Sequence, residues 1–351
     1  MAEMTPRQRV EAVLRGQAPD RVPFIIWNNK LPGGAFDRAL LAAGTCVIVK
    51  SQVMRRTLAT IRTEQRDAVG PDGRPRRRTV YHTPAGDLDT TIVPLPYTTW
   101  VEAPLFKGPD DYGALLAVIR DERYAPDPGR FAADDRRYGP CGLARPATEK
   151  SPLFEIIYEL MGLANFAIEW HERRSRVLEV FDALAARQQD RLAIVAGSAA
   201  QYVIVEGNME ISVVGTERFD AYYAPSMRSA CERMHAAGKC AGAHLDGNNH
   251  RLADRIAALP LDLIESFTPP PDCDLPLSEA LRAWPDKSLM VHFPSSVHLR
   301  GPEAVRAAVA DLMDQAGDDK RRVIFGAIED VPRPDTPAVL AQAVRDLGRI
   351  E

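Results

Sequence analysis

Polar side chains follow the short apolar runs in the second half of the chain. These polar residues are Glu206 and Asn208, His244 and Asp246, Glu265, His292, and Glu329. A carboxylate or an imidazole at such a position can exchange a proton with a substrate, orient it, or bind a divalent cation. Glu206, Asn208 and His292 are therefore candidate catalytic residues. For His292, a structural role is the alternative.

A metal site is one hypothesis for the acidic residues. His244 and Asp246 alternate on one predicted strand, so both side chains point to the same face. One neutral imidazole with two or three carboxylates is a workable ligand set for Zn²⁺, with a position left open for a substrate oxygen. The predicted ligands are His244, Asp246, Glu265 and Glu329. The alternative is a hydrogen-bonded cluster of these groups that binds a polar substrate without a metal.

Aromatic and amide side chains follow the first predicted strand. Trp27 and Asn28 stand there, and both are candidates for binding a cofactor or an aromatic ligand. As residues of the core or of a lid, they would need no ligand. The sequence leaves both interpretations open.

The elements that position these residues repeat regularly after residue 200. β-Branched runs at 202–205, 240–244, 261–267, 288–293 and 322–328 alternate with segments of helical period at 217–237, 250–258, 277–284, 302–315 and 336–348. Five successive strand–helix units predict a parallel sheet. The candidate residues then stand at the carboxyl ends of its strands, where barrel enzymes carry their active sites.

The first half of the chain completes the pattern. Strands are predicted at 22–27, 46–50 and 142–145, and alternating runs separated by turn signals predict hairpins between residues 59 and 94. The expected fold is an α/β (β/α)₈ TIM barrel, a single domain over residues 1–351, with an inserted antiparallel β lobe near 59–94. A doubly wound open sheet is the alternative, but no glycine-rich nucleotide-binding motif supports it.

Composition excludes several classes of protein. Hydrophobic residues make up 45% and charged residues 26% of the chain, and the formal net charge is −4. These values are typical of a globular protein and give no concentrated basic field, so we expect no nucleic acid partner. There is neither an apolar leader nor a run of about 18 apolar residues, so we expect a cytoplasmic protein without a membrane partner. The five cysteines form no CxxC pair, and we expect them to be reduced.

Several segments resemble the uroporphyrinogen decarboxylase superfamily, which includes the corrinoid-dependent methyltransferases. The similar segments are residues 4–24, 107–112, 238–247, 262–271 and 293–332, so the resemblance extends over nearly the whole length of the chain. The resemblance implies a (β/α)₈ barrel. It does not extend to the arginine-rich segment of the decarboxylase itself, since residues 26–34 contain no arginine.

Within that superfamily, the chain also departs from the thiol-methylating branch. That branch holds zinc with a His-x-Cys pair and a distant cysteine, whereas this sequence has His244-x-Asp246 and, near the last position, Glu329. The remaining resemblance is to the substrate-side methyltransferases of O-demethylase systems. It implies zinc with oxygen ligands, a small methoxylated substrate, and a corrinoid protein or free cobalamin as methyl acceptor. A homodimer is left open.

Three functions remain under consideration. The first is methyl transfer from a methoxylated, aromatic donor to the cobalt of a corrinoid. The second is a lyase or decarboxylase that acts on a carboxylated ring compound. The third is a non-catalytic binder of a corrinoid or tetrapyrrole, which would gain nothing from several desolvated acids. The sequence favours the first.

Overall fold

Apolar strands and amphipathic helices alternate along most of the chain. The computed structural model describes residues 3–95, 98–148, 151–207, 209–326 and 335–350. Within them the strands are β1 (Phe24–Trp27), β2 (Thr45–Ser51), β3 (Met54–Leu58), β4 (Arg62–Val69), β5 (Pro75–Thr83), β6 (Gly86–Pro94), β7 (Thr99–Ala103), β8 (Glu122–Pro126), β9 (Gly142–Pro146), β10 (Tyr202–Glu206), β11 (Cys240–His244), β12 (Leu263–Phe267), β13 (Ser288–His292) and β14 (Val323–Gly326).

The helices connect these strands. They are α1 (Pro6–Leu14), α2 (Gly34–Ala42), α3 (Tyr112–Asp121), α4 (Pro128–Arg136), α5 (Pro152–Phe154), α6 (Gly162–Glu172), α7 (Arg174–Ala196), α8 (Ile211–Arg218), α9 (Ala224–Ala236), α10 (Ala253–Ala257), α11 (Leu277–Ala283), α12 (Ser295–His298), α13 (Pro302–Ala316) and α14 (Thr336–Leu347). Two π-helical segments, Glu155–Leu160 and Phe219–Tyr223, continue α5 and α8. No helix in the described part of the chain has the length and apolarity needed to cross a membrane.

The described residues form two compact units. The first contains Met1–Val53, Asp127–Glu149 and Val195–Glu351, and the second contains Met54–Pro126 and Lys150–Ile194. Each is described by itself below. The expectation of a single domain stays a prediction.

The first unit contains an eight-stranded parallel sheet. Its strand order is β10-β11-β12-β13-β14-β1-β2-β9, so the strands at its two edges, β9 and β10, follow each other in the chain. The hydroxyl of Thr148, just after β9, donates a hydrogen bond to the carbonyl oxygen of Ile204 in β10. The sheet therefore curls into a nearly closed barrel, and the predicted (β/α)₈ fold is confirmed.

Side-chain alternation fills the interior of this barrel. Because successive residues of a strand point to opposite faces, every second residue faces inward. One buried cluster holds the inward residues Ile25, Trp27, Cys46, Ile48, Leu143, Tyr202, Ile204, Leu263, Met290 and Ile324. Val10 and Val13 of α1 join the same cluster. The cluster thus defines the inward direction of the barrel strands, with Cys240 of β11 packed against it.

The second unit contains the antiparallel structure. Strands β4 to β7 form one meander, so the predicted β lobe is confirmed, although it extends to Ala103 rather than ending near residue 94. A separate antiparallel pair, β3 with β8, was not predicted. Arg187 of α7 is buried and donates hydrogen bonds to Glu122 and Glu155. This ion cluster links β8 to the helices of the unit.

Two predicted helices differ from the structure. The helix predicted at 250–258 begins as a 3₁₀ turn, His250–Leu252, and α10 covers only Ala253–Ala257. The helix predicted at 217–237 is divided into three parts: the end of α8 at Arg218, the π-helical segment Phe219–Tyr223, and α9 from Ala224. The last predicted strand is confirmed over Val323–Gly326, and its residues 327–328 lie outside the described residues.

Candidate active site

Polar and aromatic side chains occupy the inward positions at the carboxyl ends of six barrel strands. They are Trp27 on β1, Lys50 on β2, Arg145 on β9, His244 on β11, Glu265 on β12 and His292 on β13. Trp27 is the last member of the interior cluster on its strand, and each of the other side chains follows an inward-facing residue of its strand by two positions. One layer of the barrel mouth therefore combines cations, a carboxylate and two imidazoles, as expected for a barrel active site.

His244 and Glu265 form the central contact of this layer. They are partners in register on the parallel strands β11 and β12. Nδ1 of His244 lies 2.9 Å from Oε2 of Glu265, whose side chain is fully buried. The other ring nitrogen, Nε2, lies 3.3 Å from Oδ2 of Asp246. An ionised carboxylate only accepts hydrogen bonds, so a carboxylate beside each ring nitrogen favours the doubly protonated imidazolium.

The electrostatics of the cluster agree with that assignment. Burial disfavours a charge on His244, but the hydrogen bonds to Asp246 and Glu265 outweigh burial and raise its pKa to about 9. Burial raises the pKa of Asp246, but the hydrogen bond with His244 and the charge of that ring lower it. The net effect is a lowered pKa. The histidine is therefore charged and Asp246 ionised at neutral pH.

Arg145 supplies a second cation to the buried carboxylate. Its Nε lies 3.1 Å from Oε1 of Glu265, and its Nη2 donates to Oε2 at 3.4 Å. Burial alone would protonate Glu265, but the charge of Arg145 and the hydrogen bond from His244 lower its pKa. A buried carboxylate with two cationic partners stays ionised.

Trp27 lies between cationic groups. Nζ of Lys50 is 4.6 Å from the centroid of its ring, and Cζ of Arg145 is 4.9 Å from it. These distances are within the range of cation–π contacts. The indole is only 6% exposed, so it serves as a wall that holds Arg145 rather than as a broad platform for a ligand. Asn28 follows it and is half-buried.

His292 is the uncharged histidine of the layer. Its burial and the nearby charge of His244 lower its pKa to about 4. A small cavity of about 10 Å³ beside it is lined by Trp27, Ser266, His292 and Gly326, among others. Ser266 has a φ of 60°, a backbone conformation that costs energy for a residue with a Cβ. Such strain is frequent next to active sites.

The structure does not bring Glu206 into this layer. Tyr202 and Ile204 face inward, so plain alternation would turn Glu206 inward as well. A bulge shifts the register between Ile204 and Glu206 and reverses the direction of the side chain. Oε1 of Glu206 accepts a hydrogen bond from Ser226 on α9, at 2.9 Å. Glu206 therefore contacts the helical layer outside the barrel.

The predicted zinc ligands are brought together only in part. His244, Asp246 and Glu265 are neighbours, while Glu329 and the candidate Asn208 lie outside the described residues. Among the described residues, no group of three or more histidine, cysteine, aspartate or glutamate side chains is arranged to hold a metal ion. Oε2 of Glu265 accepts hydrogen bonds from Arg145 and His244, while its Oε1 lies 3.1 Å from Nε of Arg145 without a hydrogen bond. The guanidinium occupies the space beside this carboxylate, so the described set does not complete a zinc site.

Cys273 comes near the mouth from the loop that follows β12. Its Sγ donates to the backbone oxygen of Asp246, at 3.1 Å. Burial and the carboxylates around it, Asp246 and Asp272 among them, raise its pKa to about 11. The group is a neutral thiol at ordinary pH, so it is neither a ready nucleophile nor a soft metal ligand. All five cysteines are free, as predicted.

Sequence reasoning missed Lys50 and Arg145. Both stand at the carboxyl ends of strands that were predicted almost correctly, 46–50 and 142–145. Applying the strand-end rule to the first strands, and not only to the later ones, would have found them. What the sequence could not reveal is that Arg145 pairs with Glu265, a residue 120 positions away.

Comparison with known proteins supports the fold. No family model matches the chain, and no curated protein matches its sequence. Solved structures do match, among them a methyltransferase from Methanosarcina mazei with a TM-score of 0.60. The match covers 98% of this chain and 99% of that one, with 11% of residues identical. At this identity the likeness concerns the fold alone.

Proposed function

We propose that the chain is a methyltransferase that moves a methyl group from a methoxylated, aromatic donor to the cobalt of a corrinoid acceptor. The acceptor is a corrinoid protein or free cobalamin, and it acts as the second substrate. The similarity in fold to a methyltransferase supports the general class. The sequence resemblance to O-demethylase methyltransferases supports the donor and the acceptor.

One observation carries the proposal: His244 lies between two carboxylates at the barrel mouth, an arrangement that favours the charged form of its ring. When a methyl group leaves an ether, its oxygen keeps the bonding electrons and becomes a strong base. A protonated group beside that oxygen can donate its proton as the bond breaks, and this lowers the activation barrier of the reaction. A passive binder of an apolar macrocycle would have no use for three ionised groups in a buried cluster.

Among the described residues of the mouth, we find no reactive thiolate that could carry the methyl group itself. At the described carboxyl ends of β11 to β14 the inward positions hold His244, Glu265, His292 and Gly326, and none is a thiol. The ring of His292 is neutral and could in principle accept a methyl group, but it is buried and is not exposed to a donor. The methyl group would therefore pass directly to the acceptor, and the protein aligns the two substrates.

The experiment is a methyl-transfer assay. The protein is mixed with reduced cobalamin and each member of a panel of methoxylated aromatic compounds, and the visible spectrum is followed. We expect methyl–cobalt to form with one class of donor, and the demethylated hydroxyl product to appear in equal amount. Absence of methyl–cobalt across the panel, with both cobalamin and a corrinoid protein, would contradict the proposal.

A second candidate is a lyase that acts on a carboxylated ring compound. The observation in its favour is the presence of Lys50 and Arg145 at the mouth, since cationic side chains bind carboxylates. Arg145 is already paired with Glu265, which weakens this candidate. Release of CO₂ from a carboxylated ring compound, without methyl–cobalt formation, would establish it in place of methyl transfer.

A further inference from the structure

We infer that Arg145 occupies, at the Glu265 carboxylate, the place of a zinc ion, so that charged His244 rather than a metal activates the leaving oxygen of the donor. Arg145 is then a positioning residue and His244 a catalytic residue. The role of His244 rests on the proposed methyl transfer. The role of Arg145 concerns the resting protein and can be tested without any substrate.

The first step of the argument is the engagement of Glu265. Its Oε1 faces Nε of Arg145 at 3.1 Å, and its Oε2 accepts from Nη2 of Arg145 and Nδ1 of His244. The side chain is fully buried, and Arg145 is 6% exposed. A divalent cation at this carboxylate would meet the guanidinium at short range, and two positive charges repel strongly in a buried setting.

The second step is the number of ligands that remain. If Glu265 only orients His244, zinc could still use Nε2 of the ring and one oxygen of Asp246. Histidine ligands often donate their other nitrogen to a carboxylate in this manner. Such a site would have two described protein ligands, whereas zinc sites use roughly three or four. The described residues alone therefore do not complete a zinc site, whereas they do place a proton donor at the mouth.

The third step is the position of the transferable proton. Nδ1 of His244 is held in the buried contact with Glu265, at 2.9 Å. Nε2 makes the longer contact of 3.3 Å with Asp246, whose side chain is 25% exposed. Nε2 is thus the nitrogen that a substrate oxygen can approach. The neighbouring His292, on β13, is neutral and does not compete for that proton.

The reaction step balances as follows. The bond between the methyl carbon and the donor oxygen breaks, and its electron pair stays on the oxygen. The reduced cobalt of the acceptor contributes both electrons of the new bond to the methyl carbon. Nε2 of His244 gives its proton to the oxygen, which yields the hydroxyl product, and the neutral ring regains a proton from solvent beside Asp246.

The first test measures metal. The full-length protein is incubated with zinc, dialysed and analysed for bound metal, with the His244→Ala variant in parallel. We expect no stoichiometric zinc in either protein. Stoichiometric zinc in the wild type that His244→Ala loses would overturn the inference, because it would identify the cluster as a metal site.

The second test measures the ring of His244 by NMR titration in the wild type, Arg145→Gln and Arg145→Lys. Without the guanidinium charge, buried Glu265 takes up a proton and no longer favours the charged ring. We therefore expect the titration midpoint of His244 to fall in Arg145→Gln and to be largely restored in Arg145→Lys. An unchanged midpoint in a folded Arg145→Gln protein refutes the role of Arg145. If that variant does not fold, Glu265→Gln removes the carboxylate through which Arg145 acts, and an unchanged His244 midpoint in that folded variant would refute the inference equally.

The third test uses kinetics. Replacing His244 by Asn removes the proton donor, and kcat for methyl transfer should fall by about 100-fold or more. Arg145→Gln should lower kcat more than it raises KM, since Arg145 acts through Glu265 in this proposal and not on the donor. If methyl transfer is never observed while zinc is absent and the titration shift is present, the proposed function fails and the role of Arg145 stands.

Discussion

Nδ1 of His244 lies 2.9 Å from Oε2 of Glu265, and the two residues are partners in register on adjacent parallel strands. Neighbouring strands lie about 4.8 Å apart, and side chains in register on one face point the same way. The backbone hydrogen bonds of the sheet therefore set the distance between the two groups. A short contact of this kind changes little with the motion of loops, so its consequences can be tested in the protein without substrate.

The two histidines of the mouth should titrate far apart. We expect a midpoint near 9 for His244 and near 4 for His292 in histidine NMR spectra. Activity that requires the charged ring of His244 should fall as the pH rises through about 9. In a His244→Asn variant, loss of the nearby cation should move the His292 midpoint upward, towards its ordinary value. Burial remains, so the shift should be partial, and an unmoved midpoint would show that the rings do not interact.

Removal of Arg145 should destabilise the protein. Arg145→Ala leaves Glu265 fully buried without its main counter-charge, and breaking a buried ion pair in this manner costs about 3 to 5 kcal/mol. Urea unfolding followed by circular dichroism measures the change in the free energy of unfolding. The control is Arg255→Ala, which removes an exposed ion pair with Asp220 and should cause little change. Equal effects of the two substitutions would contradict the buried pairing.

Glu265 and Glu206 should differ in their effect on catalysis. Glu265→Gln removes the charge that holds His244 protonated, so methyl transfer should fall by about 100-fold. Glu206→Gln alters a side chain that bonds to Ser226 on α9, outside the mouth layer, and should leave kcat close to that of the wild type. Steady-state kinetics on the two purified variants makes the comparison. A large loss of kcat in Glu206→Gln alone would mean that Glu206 faces the substrate.

The backbone at Ser266 should respond to the shape of its side chain. With a φ of 60°, this position suits glycine, and a β-branched residue there is strained. We expect Ser266→Val to be less stable than Ser266→Gly by about 1 to 3 kcal/mol. Thermal unfolding of both variants tests the order. The side chain is 4% exposed, so solvent contact does not confound the comparison.

Periodicity alone was enough to predict the barrel and much of its mouth. Period-two alternation in an apolar strand fixes which residues face inward, and parallel strands place their carboxyl ends at one edge. From that rule the sequence determined that His244, Glu265 and His292 share a layer. The same rule, applied to β2 and β9, would have added Lys50 and Arg145.

The tertiary structure decided two features that a local sequence pattern does not encode: the direction of Glu206 and the partner of Glu265. A single bulge in β10 turned Glu206 out of the site, because one extra residue reverses the alternation and no particular side chain is needed to cause it. Arg145 and Glu265 stand on strands separated by 120 positions in the sequence, and closure of the barrel brings them into contact. That contact changes a predicted cluster of carboxylates around a neutral histidine into a charge-balanced group around an imidazolium. The sequence determined which groups are present, and the distances across the barrel determined their charge.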